Sequence, residues 1–412
     1  MLTTKLLTEL KIRYIYPGAF FLLTLSQGNA ADSLNFYYKT ADLARVIGAI
    51  EKNEFKYLAA VVKLREEAES AFTRGPWSVV TKDLYPPSGN KHDYMSNGKY
   101  WWPDPENPDG PYIRKDGITN PHTRTTDKDY MSKMADAVET LALAYYIFNR
   151  GDFAEKAVEN IRVWFLNADT YMSPHMQYGQ AIPNRSEGRP FGIIETRKLI
   201  RVLDAVQLLK TSGYWTTADQ AGIEQWFRQY LDWLLTSDHG KREGTNGNNH
   251  ETAYTFQVAS YALFLGDTVI ARQKLDKHFK QNIIFMIEPD GRQPRELKRT
   301  KSLHYSAMNL GLMVHLCQLA DYFALDLWHY QTEDGRSIIK AFDFLYPVWA
   351  EKKEWAYQQI EISDPDYDDL FHVLRVMHLK FGIDDYEATL KQIFGTSYMS
   401  HRGQLYWPLL DR

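Results

Sequence analysis

Apolar residues recur at three- and four-residue spacing along almost the whole chain, and that period confines it to an all-helical fold. In Met131 to Phe148, Met134, Val138, Leu141, Ala142, Tyr145 and Phe148 share one face. Ala154 to Leu166 repeats the pattern with Ala157, Ile161, Val163 and Trp164. Further helices are expected over 193–209, 218–235, 251–265, 269–287, 302–323 and 337–349, with others at 57–73, 367–380 and 385–394. Strand-like alternation is scarce. Gly151-Asp152, Ser212-Gly213 and Gly266-Asp267 each stop one apolar run just before the next, as in helical hairpins. Hairpins strung over most of a 412-residue chain, with no fixed-period consensus, point to one closed ring rather than an open solenoid. No low-complexity linker divides 31–412, so it reads as a single domain.

The first thirty residues read differently. Lys5, Lys11 and Arg13 precede the apolar run Ala19 to Leu25, and small residues follow at Gly28 and Ala30. That order is a secretory signal peptide over 1–30. Its apolar run is too short to span a bilayer of about 30 Å. The expected location is therefore periplasmic or secreted, with no membrane attachment after cleavage. Without this segment 45 basic residues face 51 acidic ones. So mild an acidity excludes a dedicated nucleic-acid binder. Cys317 is the only cysteine, which excludes an internal disulfide or a multi-cysteine zinc site. Set in the apolar run Leu312 to Leu319, it reads as a small buried hydrophobe.

Three segments rich in Pro, Gly, Asn and Arg break the helical pattern: 76–129, 170–192 and 288–301. Long loops on a helical scaffold are where sites tend to be built. The densest polar string is Asn246-Gly247-Asn248-Asn249-His250, opening the helix from Glu251. One cap needs one Asn, so the others are free to do something else. Amides and an imidazole at a helix start suit an anion such as a carboxylate. The second string, Asp290-Gly-Arg292-Gln-Pro-Arg295-Glu-Leu-Lys298-Arg299-Thr-Lys301, leads into Ser302-Leu-His304-Tyr305. Cations there oppose the helix dipole, a conflict that an anionic ligand resolves. His304 and Tyr305 lie about 100° apart on a helix, so at most one is expected to face a site squarely.

Amides, a His, an Arg and a Tyr around a carboxylate suit one reaction in particular. Taking the proton next to a carboxylate loads more negative charge onto it, which Asn249, His250 and Arg299 would stabilise. Tyr305 or His250 can then move protons. The substrate would be an anionic polysaccharide, a uronic-acid polymer cut by β-elimination, with no cofactor or metal required. H-E-x-x-H is absent, since His250-Glu251 continues as Thr-Ala-Tyr. A non-catalytic glycan-binding helical protein is one alternative, for which 14% aromatic residues are natural. An inverting glycoside hydrolase on an (α/α) barrel is another; it needs two carboxylates, with Asp104, Asp109, Glu195, Asp364 and Asp368 as candidates. Lys91, Arg189, Arg292, Arg295 and Arg299 are expected to form a local positive groove. Trp101 and Trp102 either stack on sugars or pack in the core.

Four strings, Lys91-His-Asp-Tyr-Met-Ser96, Tyr100-Trp-Trp-Pro-Asp-Pro105, Asn248-Asn249-His250 and Arg299-Thr-Lys-Ser-Leu-His-Tyr305, stand in the order found in the alginate lyase superfamily. Over about 85–360 the chain resembles polysaccharide lyase family 38 most, and family 5 more distantly. The resemblance implies an (α/α) toroid of about six to seven helical hairpins, and lysis of alginate or a related polyuronate such as glucuronan. It implies carboxylate neutralisation by Asn249 and Arg299, His250 as assistant or base, and Tyr305 as catalytic acid and, in a syn elimination, also base. In the family 5 pattern the Arg stands seven residues before the Tyr, where this chain has Lys298, so Lys298 is the alternative neutraliser. Lys91, His92 and Tyr94 resemble a substrate-covering lid. Gln180, Arg189, Asn248 and His304 are the remaining implied substrate contacts.

Overall fold

The computed structural model describes residues 35–52, 54–360 and 367–409; the expected signal segment and Asp364 lie outside them. The long helices run in succession: α1 (Thr40–Glu51), α2 (Leu58–Phe72), α3 (Thr126–Phe148), α4 (Gly151–Ile161), α5 (Leu199–Leu209) and α6 (Thr217–Thr236). They continue as α7 (Asp238–Glu243), α8 (Asn249–Phe264), α9 (Thr268–Gln273), α10 (Phe279–Met286), α11 (Pro294–Leu297), α12 (Ser302–Asp321), α13 (Ile338–Trp349), α14 (Tyr367–Phe381), α15 (Asp384–Phe394) and α16 (Gly403–Tyr406). The periodic segments expected from the sequence all appear as helix. The expected helix 193–209 begins as a tighter 3₁₀ turn, Pro190–Lys198, and 269–287 is interrupted by a wider turn at Lys274–His278. Helix α1 was not expected, although Leu43, Val46 and Ile50 form its buried stripe.

These helices alternate between an inner and an outer ring. Helices α3, α5, α8, α12 and α14 pack side by side in chain order, and the 3₁₀ turn Gly395–Ser400 returns to α2 to close the circle. The inner helices are buried nearly all round: in α8 every residue from Thr252 to Leu263 is buried. A helix with no exposed face must be surrounded by others. Outer helices such as α4 and α15 carry a single apolar stripe and a wet face. The architecture is thus the (α/α) toroid that the sequence suggested. Among the described residues no helix is long and apolar enough to cross a membrane.

Buried ionisable side chains fasten the ring. Asp204 on α5 accepts the backbone N–H of Phe36 and Tyr37 at 2.7 and 2.8 Å. Arg375 on α14 is fully buried. Its guanidinium grips both oxygens of Glu387 at 2.9 and 3.0 Å, the Trp407 carbonyl at 2.6 Å and the Tyr398 hydroxyl at 3.0 Å. One side chain therefore ties α14, α15, the closing turn and the C-terminal segment together.

Short strands shape the loops above the ring. β1 (Met95–Asn97) pairs in parallel with β4 (Tyr178–Ala181), and β2 (Trp101–Trp102) pairs antiparallel with β3 (Ile113–Arg114). A buried Lys82–Asp127 pair at 2.6 Å pins this layer to α3, and the same Asp127 oxygen accepts the Met95 N–H at 2.8 Å.

Replacing Arg375 by Ala leaves the Glu387 carboxylate buried without its cation, and should cost about 3–5 kcal/mol in urea denaturation. Unchanged stability would show that Arg375 is not what fastens the ring.

Candidate active site

Each asparagine in the polar string has its own task. Asn248 is the N-cap of α8, its Oδ1 accepting the His250 N–H at 3.1 Å. Asn246 donates through Nδ2 to Glu243 Oε2 at 2.6 Å. Asn249 is buried, and both its backbone N–H and its Nδ2 bond the two oxygens of Glu296 at 2.7 Å. Its Oδ1 has no protein partner. Burial raises Glu296 above the usual carboxylate range, against the pull of those two Asn249 donors. His250 turns Nδ1 to Glu243 Oε1 at 2.6 Å, and its ring meets the edge of Phe191 at 5.0 Å.

Arg299 and Tyr305 form the opposing half. The guanidinium carbon of Arg299 lies 3.8 Å from the centre of the Tyr305 ring. Its Nε and Nη2 are held by Asp116 at 2.8–3.2 Å, and Asp116 also accepts the Thr300 N–H. Burial would raise Asp116, but the Arg299 hydrogen bonds and charge outweigh it and hold the carboxyl far below its usual range. The bidentate face of Arg299 is therefore already occupied within the protein, leaving Nη1. The Tyr305 hydroxyl shares a 2.6 Å hydrogen bond with Tyr100. Burial pushes the Tyr305 phenol up to about 12, against the pull of Arg299.

These groups meet in one cavity of about 580 Å³, lined among others by Asn248, Asn249, His250, Arg299, His304, Tyr305, Gln180 and Arg189. That size suits a small ligand or a few sugar units. His304 and Tyr305 both line it, because the cavity wraps round the start of α12. Of the two candidate neutralisers, Arg299 lines the cavity and Lys298 does not. Gln180 sits in the left-handed backbone region (φ 49°). There its carbonyl and its Oε1 both accept from Arg189, at 2.8 and 2.9 Å. A non-glycine residue in that region costs about 1–3 kcal/mol and marks a site whose geometry matters. Burial lowers Arg189 to about 10.

The expected lid is corrected by the structure. Lys91, His92 and Tyr94 do not line the cavity. Lys91 is exposed. His92 Nδ1 is engaged by the Tyr171 carbonyl at 2.7 Å. Tyr94 is fully buried and donates its hydroxyl to Glu195 Oε2 at 2.9 Å, reaching the site only through that lining carboxylate. The expected groove of five cations is corrected likewise, since only Arg189 and Arg299 reach it. Arg292 bonds its neighbour Asp290 at 2.7 Å, and Arg295 caps the Asn246 carbonyl.

The positive field comes instead from residues that the sequence did not mark. Lys99, Arg114, Lys128, Arg197 and Lys198 line the cavity with Arg189 and Arg299, against only Asp129 and Glu195. Tyr100 was noted only as part of a string, not as a partner of Tyr305. Trp101 lines the cavity, whereas Trp102 does not. Both lining carboxylates are ion-paired, Asp129 with Arg124 at 2.6 Å and Glu195 with Lys128 at 2.8 Å. No group of three or more His, Cys, Asp or Glu among the described residues is placed to hold a metal ion.

Comparison with known proteins places the arrangement. The alginate lyase family model matches residues 78–355. A crystal structure of an alginate lyase from Bacteroides ovatus is 38% identical, covers 91% of this chain and 99% of its own, and superposes with a TM-score of 0.86. Alginate lyase A1-III from Sphingomonas species A1 is 14% identical, with 85% and 95% covered and a TM-score of 0.51. A variant of alginate lyase A1-III complexed with a tetrasaccharide gives 14%, with 86% and 96% covered and a TM-score of 0.53. At that identity the A1-III structures speak for the fold alone. No curated protein sequence matches.

Proposed function

The chain belongs to the alginate lyase family, and on that premise we propose that it cuts alginate, or a related polyuronate such as glucuronan, by β-elimination at the cavity between α8 and α12. The supporting observation is that Asn249 and His250, from one helix start, line the same cavity as Arg299 and Tyr305 from another. As a polysaccharide lyase it must stabilise the charge that builds on a sugar carboxylate when the adjacent C5 proton leaves. The second Nδ2 hydrogen of Asn249 and the Nη1 side of Arg299 supply donors there, in a site already rich in positive charge.

The atoms balance as follows. A base takes the C5 proton, the C5 electrons form the C4–C5 double bond, and the C4–O4 bond breaks with its electrons on oxygen. Tyr305 gives its phenolic proton to that oxygen. With its phenol raised to about 12, Tyr305 rests protonated at neutral pH, the form an acid requires. His250 offers Nε2 as the base, since Nδ1 is engaged by Glu243. For a sugar whose C5 proton faces α12, Tyr305 would serve as base too: having first released its own proton to solvent, the phenolate, stabilised by Arg299, would take the C5 proton and pass it to the leaving oxygen. Gln180, Arg189, Asn248 and His304 hold the chain of sugars, and Trp101 offers a face for stacking.

Each cut leaves a double bond conjugated to a carboxylate, which absorbs in the ultraviolet, whereas hydrolysis or simple binding leaves none. Wild-type protein given a panel of purified polyuronates should produce that absorbance on at least one. Tyr305→Phe and His250→Ala should each lower kcat by about 10²–10⁴-fold while folding normally. A folded Tyr305→Phe variant with full activity would remove Tyr305 from the mechanism.

We also propose export, from the basic–apolar–small order of 1–30. The N-terminus sequenced from protein recovered outside the cytoplasm should begin close to Ala31. An intact Met1 in that fraction would contradict export by cleavage.

A further inference from the structure

We infer that Glu243 is a positioning residue of the reaction: it fixes the tautomer and the aim of His250, so that Nε2 is the nitrogen offered to the substrate. This rests on the assignment of His250 as base, and adds why that imidazole can do the work.

Glu243 is the last residue of α7 and has no exposed surface. Its Oε1 lies 2.6 Å from His250 Nδ1. Its Oε2 accepts Asn246 Nδ2 at 2.6 Å, which holds the carboxylate in the plane it needs. Among the described residues no lysine or arginine lies within ion-pair distance of it, so the imidazole is its one chargeable contact. A carboxylate left alone in a dry interior is costly. Here that cost is offset by the hydrogen bonds that Asn246 and the His250 Nδ1–H bring to it.

Two consequences follow from chemistry. A neutral imidazole has one N–H, and an ionised carboxylate can only accept, so the N–H must sit on Nδ1. Nε2 then carries the lone pair. When Nε2 takes the C5 proton, the ring becomes a cation beside a carboxylate already in place, which stabilises the charge without rearrangement. Phe191 packs its edge against the ring and limits its rotation. The string Asn246 to His250 thereby gains a second purpose. Asn246 orients the carboxylate, Asn248 caps the helix, and His250 stands between Glu243 and the cavity.

Glu243→Gln keeps the shape and can still accept the Nδ1–H, but it lacks the charge. Its kcat should fall about 10–100-fold with KM changed by less than about threefold, as expected for a group that acts through another. His250→Gln serves as the reference. If His250→Gln itself works at the wild-type rate, the base assignment fails. If His250→Gln is inactive while a folded Glu243→Gln variant keeps wild-type kcat, only the role of Glu243 falls. Nitrogen-15 spectra of histidine-labelled wild-type protein give a second reading that needs no Glu243 variant. The His250 resonances, identified by their loss in His250→Gln, should show a protonated Nδ1 and an unprotonated Nε2. A neutral ring protonated on Nε2 would overturn the inference.

Discussion

A single buried carboxylate joins the two halves of the site. Glu296, just ahead of α12, takes both the backbone N–H and the side-chain N–H of Asn249 at the start of α8. Without that tie the two helix starts would be neighbours in the ring with no fixed register between their side chains. With it, Asn249 and His250 are held at a set offset from Arg299 and Tyr305. The ring supplies the coarse placement, because α8 and α12 pack directly against each other. The carboxylate supplies the fine placement, and catalysis is sensitive to errors of about 1 Å.

Charge is then arranged in layers. Lining the cavity stand donors and cations, including Lys99, Arg114, Arg189 and Arg299. Behind them stand carboxylates that hold them in place: Glu296 behind Asn249, Glu243 behind His250 and Asp116 behind Arg299. The layering lets a protein of net charge −4 present a positive cavity to a polyanion. It also explains the stack of Arg299 on Tyr305. Asp116 anchors the guanidinium over the Tyr305 ring, where it can stabilise negative charge on the phenol oxygen.

Much of this was legible in the sequence, for identifiable reasons. The helices of the ring announced themselves because an inner or amphipathic helix cannot hide its period, as in α3 and α4. Asn249, His250, Arg299 and Tyr305 stood out because polar residues crowd two helix starts beyond what capping needs. Ring closure was not legible, since Arg375 draws its partners from three segments 12, 23 and 32 residues away. Tyr94 could not be told from a substrate contact, because an aromatic in a loop reads alike whether sealed or open. The cations of the wall were missed for the same reason: Lys128, Arg197 and Lys198 sit among helical residues that look like any solvated face. Glu243 and Glu296 were passed over because a carboxylate shows its purpose only through what it touches.

The most direct measurement is a crystal structure of the Tyr305→Phe variant soaked with a uronate tetrasaccharide. The account predicts sugar lying across the cavity, one C5 carboxylate within hydrogen-bond distance of both Asn249 and Arg299, and His250 Nε2 or the ring at 305 facing the C5 hydrogen. Sugar bound elsewhere with that cavity empty, or a carboxylate directed away from both Asn249 and Arg299, would contradict it.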